Sequence, residues 1–350
     1  MSLPLISIKP PNILRTPRIV AGAPRTTTRS RLFATRQFSA SHQPNMSVST
    51  AMEAEIKRNP HPDFKKVEAS RPDWDASSRL RFTKTASPSW TFGSGANELE
   101  DSSSSSSPPK KHIQIDPYEP GRPAPFNYKL LISSIVPRPI GFVSTRSPAS
   151  PPRDNLAPFS YFQVVNHDPP LFVLGVAGSL AAPKDTLRNL LETRECVVGI
   201  ISEHFVEAAN AASVDAPHGV SEWDVTGLTP VDDCVTVKAP RVREAVFSVE
   251  CKLESCREFE SRATPGKKTG CLIVLEGTRF WVREDAINEE RNLVDPSVLR
   301  PISRLGGITY ARITEAIELQ RPVFEKDVGG LEGYERLKQE KERQKEKEAK

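Results

Sequence analysis

The chain has 350 residues, 32 prolines and a formal net charge of only +4. Much of this net charge comes from the N-terminus, so it does not argue for nucleic-acid binding. No run of about 18 apolar residues occurs, and we therefore predict no membrane span. The five cysteines form no Cys-x-x-Cys pair. We interpret most of them as buried small side chains in a reducing compartment, with a redox or metal role as the less favoured alternative.

The first 45 residues have the composition of a targeting sequence. They contain seven lysines and arginines but no acidic residue, and serine and threonine are frequent. This composition is typical of a mitochondrial transit peptide, and residues 36–41 resemble a matrix-protease cleavage region. We therefore predict a mitochondrial location. The alternative is a basic disordered tail ahead of Met46, which would then be the start of a cytoplasmic form.

Residues 46–112 form a polar arm and linker before the predicted globular part. They include two isolated tryptophans, Trp74 and Trp90, and a run of serines at 102–107. A serine run cannot bury apolar area, so we predict a flexible linker there. The tryptophans suggest an arm that packs on the globular part or on a partner subunit. Plain disorder is the alternative, and we weight the two equally.

The most informative stretch covers residues 134–162 and reads SIVPRPIGFVSTRSPASPPRDNLAPFSYF. Prolines on both sides hold Arg138 in an extended segment, because each proline fixes its own φ and restricts the residue before it. The apolar run 140–143 predicts a buried strand, and 155–162 predicts a second strand after a proline-rich loop. The ends of this hairpin gather a guanidinium, hydroxyls and an amide, which suit a phosphate and the polar edge of a heterocycle. The alternative is a proline-rich hairpin with ordinary polar turn residues.

Downstream of this hairpin the sequence predicts more strands than helices. We predict strands at 161–166 and 171–177 about a turn at 168–170, a helix at 185–195, a strand at 196–201, a helix at 203–213, a loop at 219–230, strands at 247–253 and 271–282 with a bulge at 276–277, and a strand or extended arm at 310–319. In 247–253, alternate residues predict one buried side and one solvent-facing side. Because regular βαβ alternation is missing, we predict a closed antiparallel barrel with outer helices over 113–325. The charged residues 326–350 predict a solvated helix or a frayed tail.

Several other kinds of site lack support in the sequence. No Gly-x-Gly-x-x-Gly or Gly-x-Ser-x-Gly occurs, which argues against a Rossmann dinucleotide site and a hydrolase elbow. A P-loop would need a glycine at position 261, where the chain has Ser261. The six histidines form no spaced ligand pair, so we expect no structural metal.

Five pieces of sequence, in a fixed order, carry a resemblance to a known family. They are SIVPRPIGFVSTRS at 134–147, NLAPFSYF at 155–162, DPP at 168–170, KDT at 184–186 followed by Asn189, and RLGG at 304–307 followed by Tyr310. Together they resemble the flavin reductase-like family, whose members bind FMN in a split β-barrel. The resemblance implies a mainly β fold, an antiparallel, Greek-key-like FMN-binding split β-barrel with peripheral helices. It also implies a homodimer, because sites in this family form at the dimer interface.

The resemblance also implies which residues hold FMN. The candidates for the phosphate lie on the first strand and at the start of the predicted helix, where amide groups and the helix dipole favour an anion: Arg138, Ser144, Thr145, Lys184, Asp185, Thr186 and Asn189. The candidates for the ring lie on the second strand: Asn155, Ala157, Pro158 and Ser160. Arg304 could reach a phosphate from the late glycine pair. The alternatives are simple capping of the helix by Asp185 and an ordinary glycine bulge with a surface arginine.

These expectations define the predicted function. The resemblance implies an NAD(P)H-dependent flavin reductase, in which hydride passes from nicotinamide to flavin N5. A flavin carries this chemistry itself, which agrees with the lack of any residue that we would assign to acid–base catalysis. One alternative is an FMN-dependent oxidoreductase acting on a different organic substrate. The other is a flavin-binding or interaction protein with little turnover, whose arm and tail serve partners.

Overall fold

The computed structural model describes residues 59–97, 111–217 and 219–348. The predicted transit peptide (1–45) and the serine-rich linker (102–107) lie outside the described residues. The strands are β1 (Arg81–Phe82), β2 (Gly141–Arg146), β3 (Asp154–Phe159), β4 (Phe162–His167), β5 (Pro170–Ala177), β6 (Glu195–Ile200), β7 (Pro230–Val231), β8 (Arg241–Val242), β9 (Phe247–Glu260), β10 (Lys268–Val282), β11 (Ile302–Arg304), β12 (Tyr310–Arg312) and β13 (Glu315–Ala316). The helices are α1 (Phe64–Ala69), α2 (Ala124–Ser134), α3 (Asp185–Thr193), α4 (Val206–Ala211), α5 (Glu222–Thr226), α6 (Pro296–Leu299) and α7 (Gly330–Glu348).

One antiparallel sheet organises the fold. Its seven strands run in the order β3-β2-β6-β9-β10-β5-β4. The edge strands β3 and β4 are joined by only two residues, so the sheet must curl back on itself. The Tyr161 carbonyl in that link accepts a hydrogen bond from Gly175 N on β5 at 2.7 Å. The result is a barrel with a seam between β3 and β4, and the predicted mainly β split barrel is confirmed.

The inside of the barrel is apolar and is closed by helix α3. Inward residues of β2, β5, β6, β9 and β10 form one cluster with Leu187 and Leu190 of α3. These leucines are three residues apart, the spacing that places side chains on one face of a helix. Helix α3 therefore buries its apolar face in the barrel. Its N-terminal part lies beside β2 and β3. The predicted helix at 185–195 is confirmed, and it ends two residues earlier than expected.

A second apolar cluster covers the outside of β2 and β3. Phe142 and Leu156 pack there against Phe205, Trp223 and residues of α4. The predicted helix at 203–213 is a 3₁₀ turn at Glu203–Phe205 followed by α4. The predicted loop at 219–230 was wrong in part, because it contains α5. Gly227, with φ of 68°, ends α5 in the left-handed conformation that favours glycine.

Strand β9 corrects the predicted solvent-facing side. Val249, Cys251 and Leu253 point into the core as expected, but Ser248 and Glu250 on the opposite side are buried as well. The segment at 235–236 covers this side and donates hydrogen bonds to Glu250. The pattern of alternation in a strand cannot show that a distant loop folds over its polar side. The bulge predicted at 276–277 is present as a register shift between Gly277 and Arg279.

The polar arm contacts the rest of the chain within residues 59–97. Trp74 Nε1 donates to Glu203 Oε1 at 2.8 Å. Strand β1 pairs in parallel with β13, and Arg81 forms an ion pair with Glu315 at 2.6 Å. These contacts support the packed arm over plain disorder for this segment. The charged tail forms helix α7, and no helix in the described ranges is long and apolar enough to cross a lipid bilayer.

Candidate functional site

Four of the candidate residues form one buried polar cluster between α3 and the β2–β3 hairpin. Asn155 Nδ2 donates to Thr186 Oγ1 at 2.8 Å, and Asn189 Nδ2 donates to Thr145 Oγ1 at 3.1 Å. All four side chains are buried. Buried amides and hydroxyls need such partners, because leaving them unpaired costs free energy. The cluster therefore fixes the start of α3 against the hairpin.

The hairpin separates two hydroxyls that were predicted to share a phosphate. Thr145 lies opposite Asn155, and Ser144 lies opposite Leu156. Because side chains alternate along a strand, Thr145 faces α3 while Ser144 faces the second apolar cluster. Ser144 Oγ is buried and has no hydrogen-bond partner among the described residues. The two side chains therefore cannot meet the same phosphate from one side of the strand.

The free edge of β3 presents backbone groups of Leu156 and Pro158. Ser147 N donates to Arg153 O at 2.8 Å. Because hydrogen-bonded and non-hydrogen-bonded pairs alternate along an antiparallel ladder, this bond fixes which residue pairs of the hairpin are hydrogen-bonded to each other. Ala157 belongs to a hydrogen-bonded pair, so its backbone N–H and C=O groups face its partner Val143 on β2. Leu156 N points outward and donates to Glu222 Oε2 at 3.2 Å. A ring along this edge would therefore meet the neighbours of Ala157 rather than its backbone.

The Arg138 side chain donates its hydrogen bonds to backbone carbonyl groups of the protein itself. Its Nη1 donates to Ile132 O at 2.6 Å and to Ile135 O at 2.7 Å, and its Nη2 donates to Leu305 O at 2.8 Å. Burial lowers the pKa of this guanidinium. These bonds satisfy carbonyl groups at the end of α2, which a helix terminus leaves without partners. The geometry thus favours a role for Arg138 in joining α2 to the chain near β11, in place of the predicted phosphate contact.

Arg304 and the glycine pair that follows it make their contacts in the same region, near the end of α2. Arg304 and Arg138 exchange backbone hydrogen bonds of 2.9 and 3.0 Å. The Arg304 guanidinium donates to Gly307 O at 2.7 Å and lies 4.3 Å from the centre of the Tyr310 ring. A Cβ on Gly306 would lie 3.2 Å from Ser133 Cβ on α2. Close packing of the β11–β12 turn on α2 therefore explains this glycine.

Two cavities border the start of α3, and the remaining candidates line them. The first, here the Lys184 cavity, has a volume of about 480 Å³. Its lining includes Pro158, Ser160, Tyr161, Ala177, Lys184 and Thr269, and also Tyr128, Phe159 and Phe259. The second, the Asn155 cavity, has a volume of about 600 Å³ and is lined by Asn155, Asn189 and several charged residues.

The charges distinguish the two cavities. Lys184 is the one charged side chain that lines the Lys184 cavity in the part of the chain that the structure describes. The charged residues that line the Asn155 cavity are four carboxylates and two guanidinium groups: Asp154, Asp185, Glu192, Asp224, Arg153 and Arg188. A dianion is therefore attracted to the first cavity and not to the second.

Comparison with known proteins agrees with the sequence resemblance. The family model of the flavin reductase like domain matches residues 133–300. An uncharacterized protein of Halalkalibacterium halodurans is 36% identical over 199 residues, which cover 57% of this chain and 92% of that protein. The chain belongs to the flavin reductase-like family.

Two solved structures of similar proteins extend this comparison. Nitrilotriacetate monooxygenase component B from Bacillus cereus is 34% identical to this chain, with a TM-score of 0.55. The match covers 60% of this chain and 100% of that protein. The 2-nitrobenzoate 2-nitroreductase of Pseudomonas fluorescens is 30% identical with a TM-score of 0.52, and the match covers 61% of this chain and 98% of that one. About three fifths of this flavin reductase-like protein therefore matches nearly the whole of each of these structures.

The lining of the Lys184 cavity fits a flavin nucleotide. The Tyr128, Tyr161 and Phe259 rings and the small Ala177 offer apolar surface for a planar ring system. Ser160 and Thr269 add hydroxyls, and Lys184 supplies a cation. The first hydrogen bond of the helix runs from Arg188 N to Lys184 O, so the backbone N–H groups of the first turn have no acceptor within the helix.

The sequence analysis missed the aromatic walls of this cavity. Tyr128 lies on α2, a helix that was not predicted and that has Pro123 and Pro125 at its start. Prolines are tolerated in the first turn of a helix, and that signal could have located α2. Tyr161 stands within the recognised hairpin motif but was assigned only to a strand. Phe259 lies on the extension of β9 beyond the predicted strand, where no pattern indicated a cavity.

Proposed function

We propose that this protein is an FMN-binding oxidoreductase that takes hydride from NAD(P)H. The Lys184 cavity carries the proposal, because it joins aromatic and apolar walls to one cation and to the N-terminus of α3. Bound FMN would supply the redox chemistry, accepting hydride from nicotinamide at flavin N5. Membership of the flavin reductase-like family supports a flavin as the cofactor.

In this proposal the chain's own residues bind and orient. Lys184 and the first-turn amides of α3 hold the phosphate. The Asn155–Thr186 and Asn189–Thr145 hydrogen bonds keep that turn in place against the hairpin. Pro158 and Ser160 border the ring at the free edge of β3. Glu222 lies beside the same edge, and burial raises the pKa of its carboxyl, an effect to which the nearby Asp185 adds.

The visible spectrum tests the proposed function directly. We expect the purified chain, after incubation with FMN and removal of free flavin, to show flavin bands. Addition of NADH or NADPH under anaerobic conditions should bleach them. Bands that persist with both nucleotides would contradict the NAD(P)H-dependent reaction and leave a flavin-binding protein. A chain that takes up no FMN would contradict the whole proposal.

A second candidate function keeps the same cofactor and changes the acceptor. Similarity to a 2-nitrobenzoate 2-nitroreductase supports reduction of an organic substrate by bound FMN. Similarity to a monooxygenase component supports instead a reductase that serves a second protein. The two are separated by asking whether reduced flavin leaves the protein during turnover. Release on filtration favours the reductase, and retention with consumption of a nitroaromatic compound favours the alternative.

We also propose that the protein is a homodimer joined near the β4 edge. Among the described residues, β4 has a hydrogen-bonded neighbour strand on one side only, and Val164 and Val165 are 55% and 54% exposed. Exposed apolar residues on an unpaired edge are a liability unless a partner covers them. Tyr161, which precedes β4 and lines the Lys184 cavity, is also exposed. A second copy at this edge would approach the cavity.

Charge at the β4 edge should disrupt this dimer. We expect Val165→Lys to convert a dimer to a monomer in light scattering, because an ammonium group would be buried between the subunits. Val225→Lys is the matched control, since Val225 is similarly exposed, at 48%, on α5. A wild-type monomer, or a Val165→Lys dimer of unchanged stability, would contradict the proposed interface.

A further inference from the structure

Arg257 on β9 stands at the rim of the Lys184 cavity. Phe259 and Leu272 line that cavity from two neighbouring strands. Leu272 is the direct partner of Arg257, and Gly270 is the partner of Phe259. Residues two apart on a strand share a face, so Arg257 and Phe259 point to the same side of the sheet. The Arg257 Cζ lies 5.4 Å from the centre of the Phe259 ring, which places the guanidinium against the aromatic wall of the cavity.

The carboxylates that follow Arg257 on β9 have other partners. Glu258 accepts a hydrogen bond from Leu180 N at 2.7 Å, and Glu260 forms an ion pair with Lys268 at 2.8 Å. Glu258 is also the next residue along the strand, so alternation turns it to the other face of the sheet. Arg257 itself is exposed. Its contact with a ring leaves the N–H groups of the guanidinium for an acceptor such as a phosphate.

The tip of the β9–β10 hairpin carries charge of the same sign. The tip, residues 261–267, contains Arg262 and Lys267 and no acidic residue. The Arg262 Cζ lies 5.9 Å from the centre of the Tyr118 ring. No carboxylate lines the Lys184 cavity within the described ranges. A ligand that extends from the cavity along this hairpin therefore meets a positive potential.

The proposed reaction brings two phosphorylated ligands to this cavity. The FMN phosphate is proposed to bind at the start of α3, whereas Arg257 lies on a different element, β9. The nicotinamide donor adds a pyrophosphate and, in NADPH, a 2′-phosphate. A pyrophosphate is commonly held by backbone N–H groups of a glycine-rich turn, and the chain has no Gly-x-Gly-x-x-Gly. A terminal phosphate dianion suits the planar fork of a guanidinium.

We propose that Arg257 binds the 2′-phosphate of the nicotinamide donor and makes the protein prefer NADPH to NADH. This inference rests on the proposed function, and it deepens it by naming which nucleotide supplies the hydride. The Phe259 ring holds the guanidinium at the rim, and Arg262 and Lys267 add to the positive potential around it. Arg257 takes no part in the hydride transfer itself.

Binding of the oxidised nucleotides tests the proposal without turnover. NADP⁺ and NAD⁺ are titrated by calorimetry into the FMN-loaded wild type, Arg257→Gln and Arg257→Lys. We expect Arg257→Gln to weaken NADP⁺ binding by about tenfold, the loss of one charge-assisted contact at an exposed site. The affinity for NAD⁺ should change by less than about twofold, because it carries no 2′-phosphate. Arg257→Lys should keep part of the NADP⁺ affinity, since it retains the charge but not the fork.

Arg279→Gln is the matched control. Arg279 is an exposed arginine on the other strand of the same hairpin and does not line the cavity, so the affinities for both nucleotides should stay the same. FMN affinity, measured by titration with quenching of flavin fluorescence, should be equal in Arg257→Gln and the wild type. In anaerobic reduction of the bound flavin, Arg257→Gln should raise the NADPH concentration for the half-maximal rate and leave the maximal rate unchanged. Added salt should shrink the preference for NADP⁺.

Two results would overturn the inference while leaving the proposed function intact. One is a wild type that binds NADP⁺ and NAD⁺ equally well. The other is an equal loss of both nucleotides in Arg257→Gln, which would remove the 2′-phosphate from this residue. Failure of the proposed function looks different, because then the wild type takes up no FMN or neither NADH nor NADPH bleaches its flavin bands. Thermal melting of each variant shows whether the fold is kept.

Discussion

Replacing Lys184 with alanine is expected to raise the dissociation constant for FMN by about 10- to 100-fold. A hydrogen bond to a charged group contributes about 1.5–3 kcal/mol, and this variant removes the cation from the phosphate. Lys184 is also the one charged side chain that lines its cavity among the described residues, so no neighbouring cation in that lining can replace it. Adding Thr186→Ala should bring the total loss to about 2–4 kcal/mol. Part of this addition is indirect, because Thr186 Oγ1 accepts the hydrogen bond from Asn155.

The controls for this experiment use the same titration. Lys129→Ala removes an exposed lysine of α2 that does not line the cavity and should leave FMN affinity unchanged. Riboflavin should bind the Lys184→Ala variant nearly as well as the wild type, since it has no phosphate. Equal FMN affinity in the wild type and the Lys184→Ala variant would remove the phosphate from this turn. A parallel loss of riboflavin binding would place Lys184 at the ring instead.

The local structure of this protein could be predicted because it depends on short-range patterns. The apolar run before Ser144 gave β2, and the leucine spacing at Leu187 and Leu190 gave α3. The prolines around Arg138 correctly indicated an extended segment. The antiparallel hairpin of β2 and β3 followed from two apolar runs and a proline-rich loop. Each of these signals lies within the element that it predicts, so it can be recognised without knowledge of distant contacts.

The contacts of individual side chains were harder to predict, because they depend on long-range packing. The sequence shows that Arg138 is held rigidly but not that the end of α2 and Leu305 O lie within its reach. The opposite directions of Ser144 and Thr145 could have been inferred, since alternation in a strand is a sequence-level rule. The buried pairing of Asn155 with Thr186 spans 31 positions and required the curled sheet. The candidate site was thus predicted as a set of residues, but not as an arrangement in space.

Glu250 shows most clearly how a long-range contact reverses a sequence-based expectation. It occupies the predicted solvent-facing side of β9, yet its side chain is fully buried, at 0% exposure. Its carboxylate accepts hydrogen bonds from Val235 N at 2.9 Å, Thr236 N and Oγ1 at 2.5 Å each, and Trp281 Nε1 at 2.7 Å. Burial acts to raise the pKa of Glu250, but the donors, led by Thr236, outweigh it and lower the pKa to about 2.

We expect Glu250→Gln to lower the free energy of unfolding at pH 7 by about 3 kcal/mol. The estimate follows from a carboxyl whose pKa falls from about 4.3 in the unfolded chain to about 2 in the folded one, at about 1.4 kcal/mol for each pH unit. The amide of glutamine would also present an N–H₂ group to backbone and side-chain donors that need an acceptor. Urea denaturation followed by circular dichroism measures the difference. Glu254→Gln, at an exposed position on the same strand, is the matched control and should change stability by less than about 0.5 kcal/mol.

The pH dependence of this difference separates the charge from the shape of the side chain. The folded pKa lies below the unfolded one, so the stabilisation is complete above about pH 4.3 and is lost as the pH falls toward about 2. The gap between the wild type and Glu250→Gln should therefore stay constant from pH 7 to pH 5 and then close on acidification. The other carboxyl groups titrate equally in both proteins and cancel in the comparison. A gap that persists unchanged to pH 3, or equal stability of the two proteins at pH 7, would show that the ionised carboxylate does not hold the 235–236 segment on the barrel.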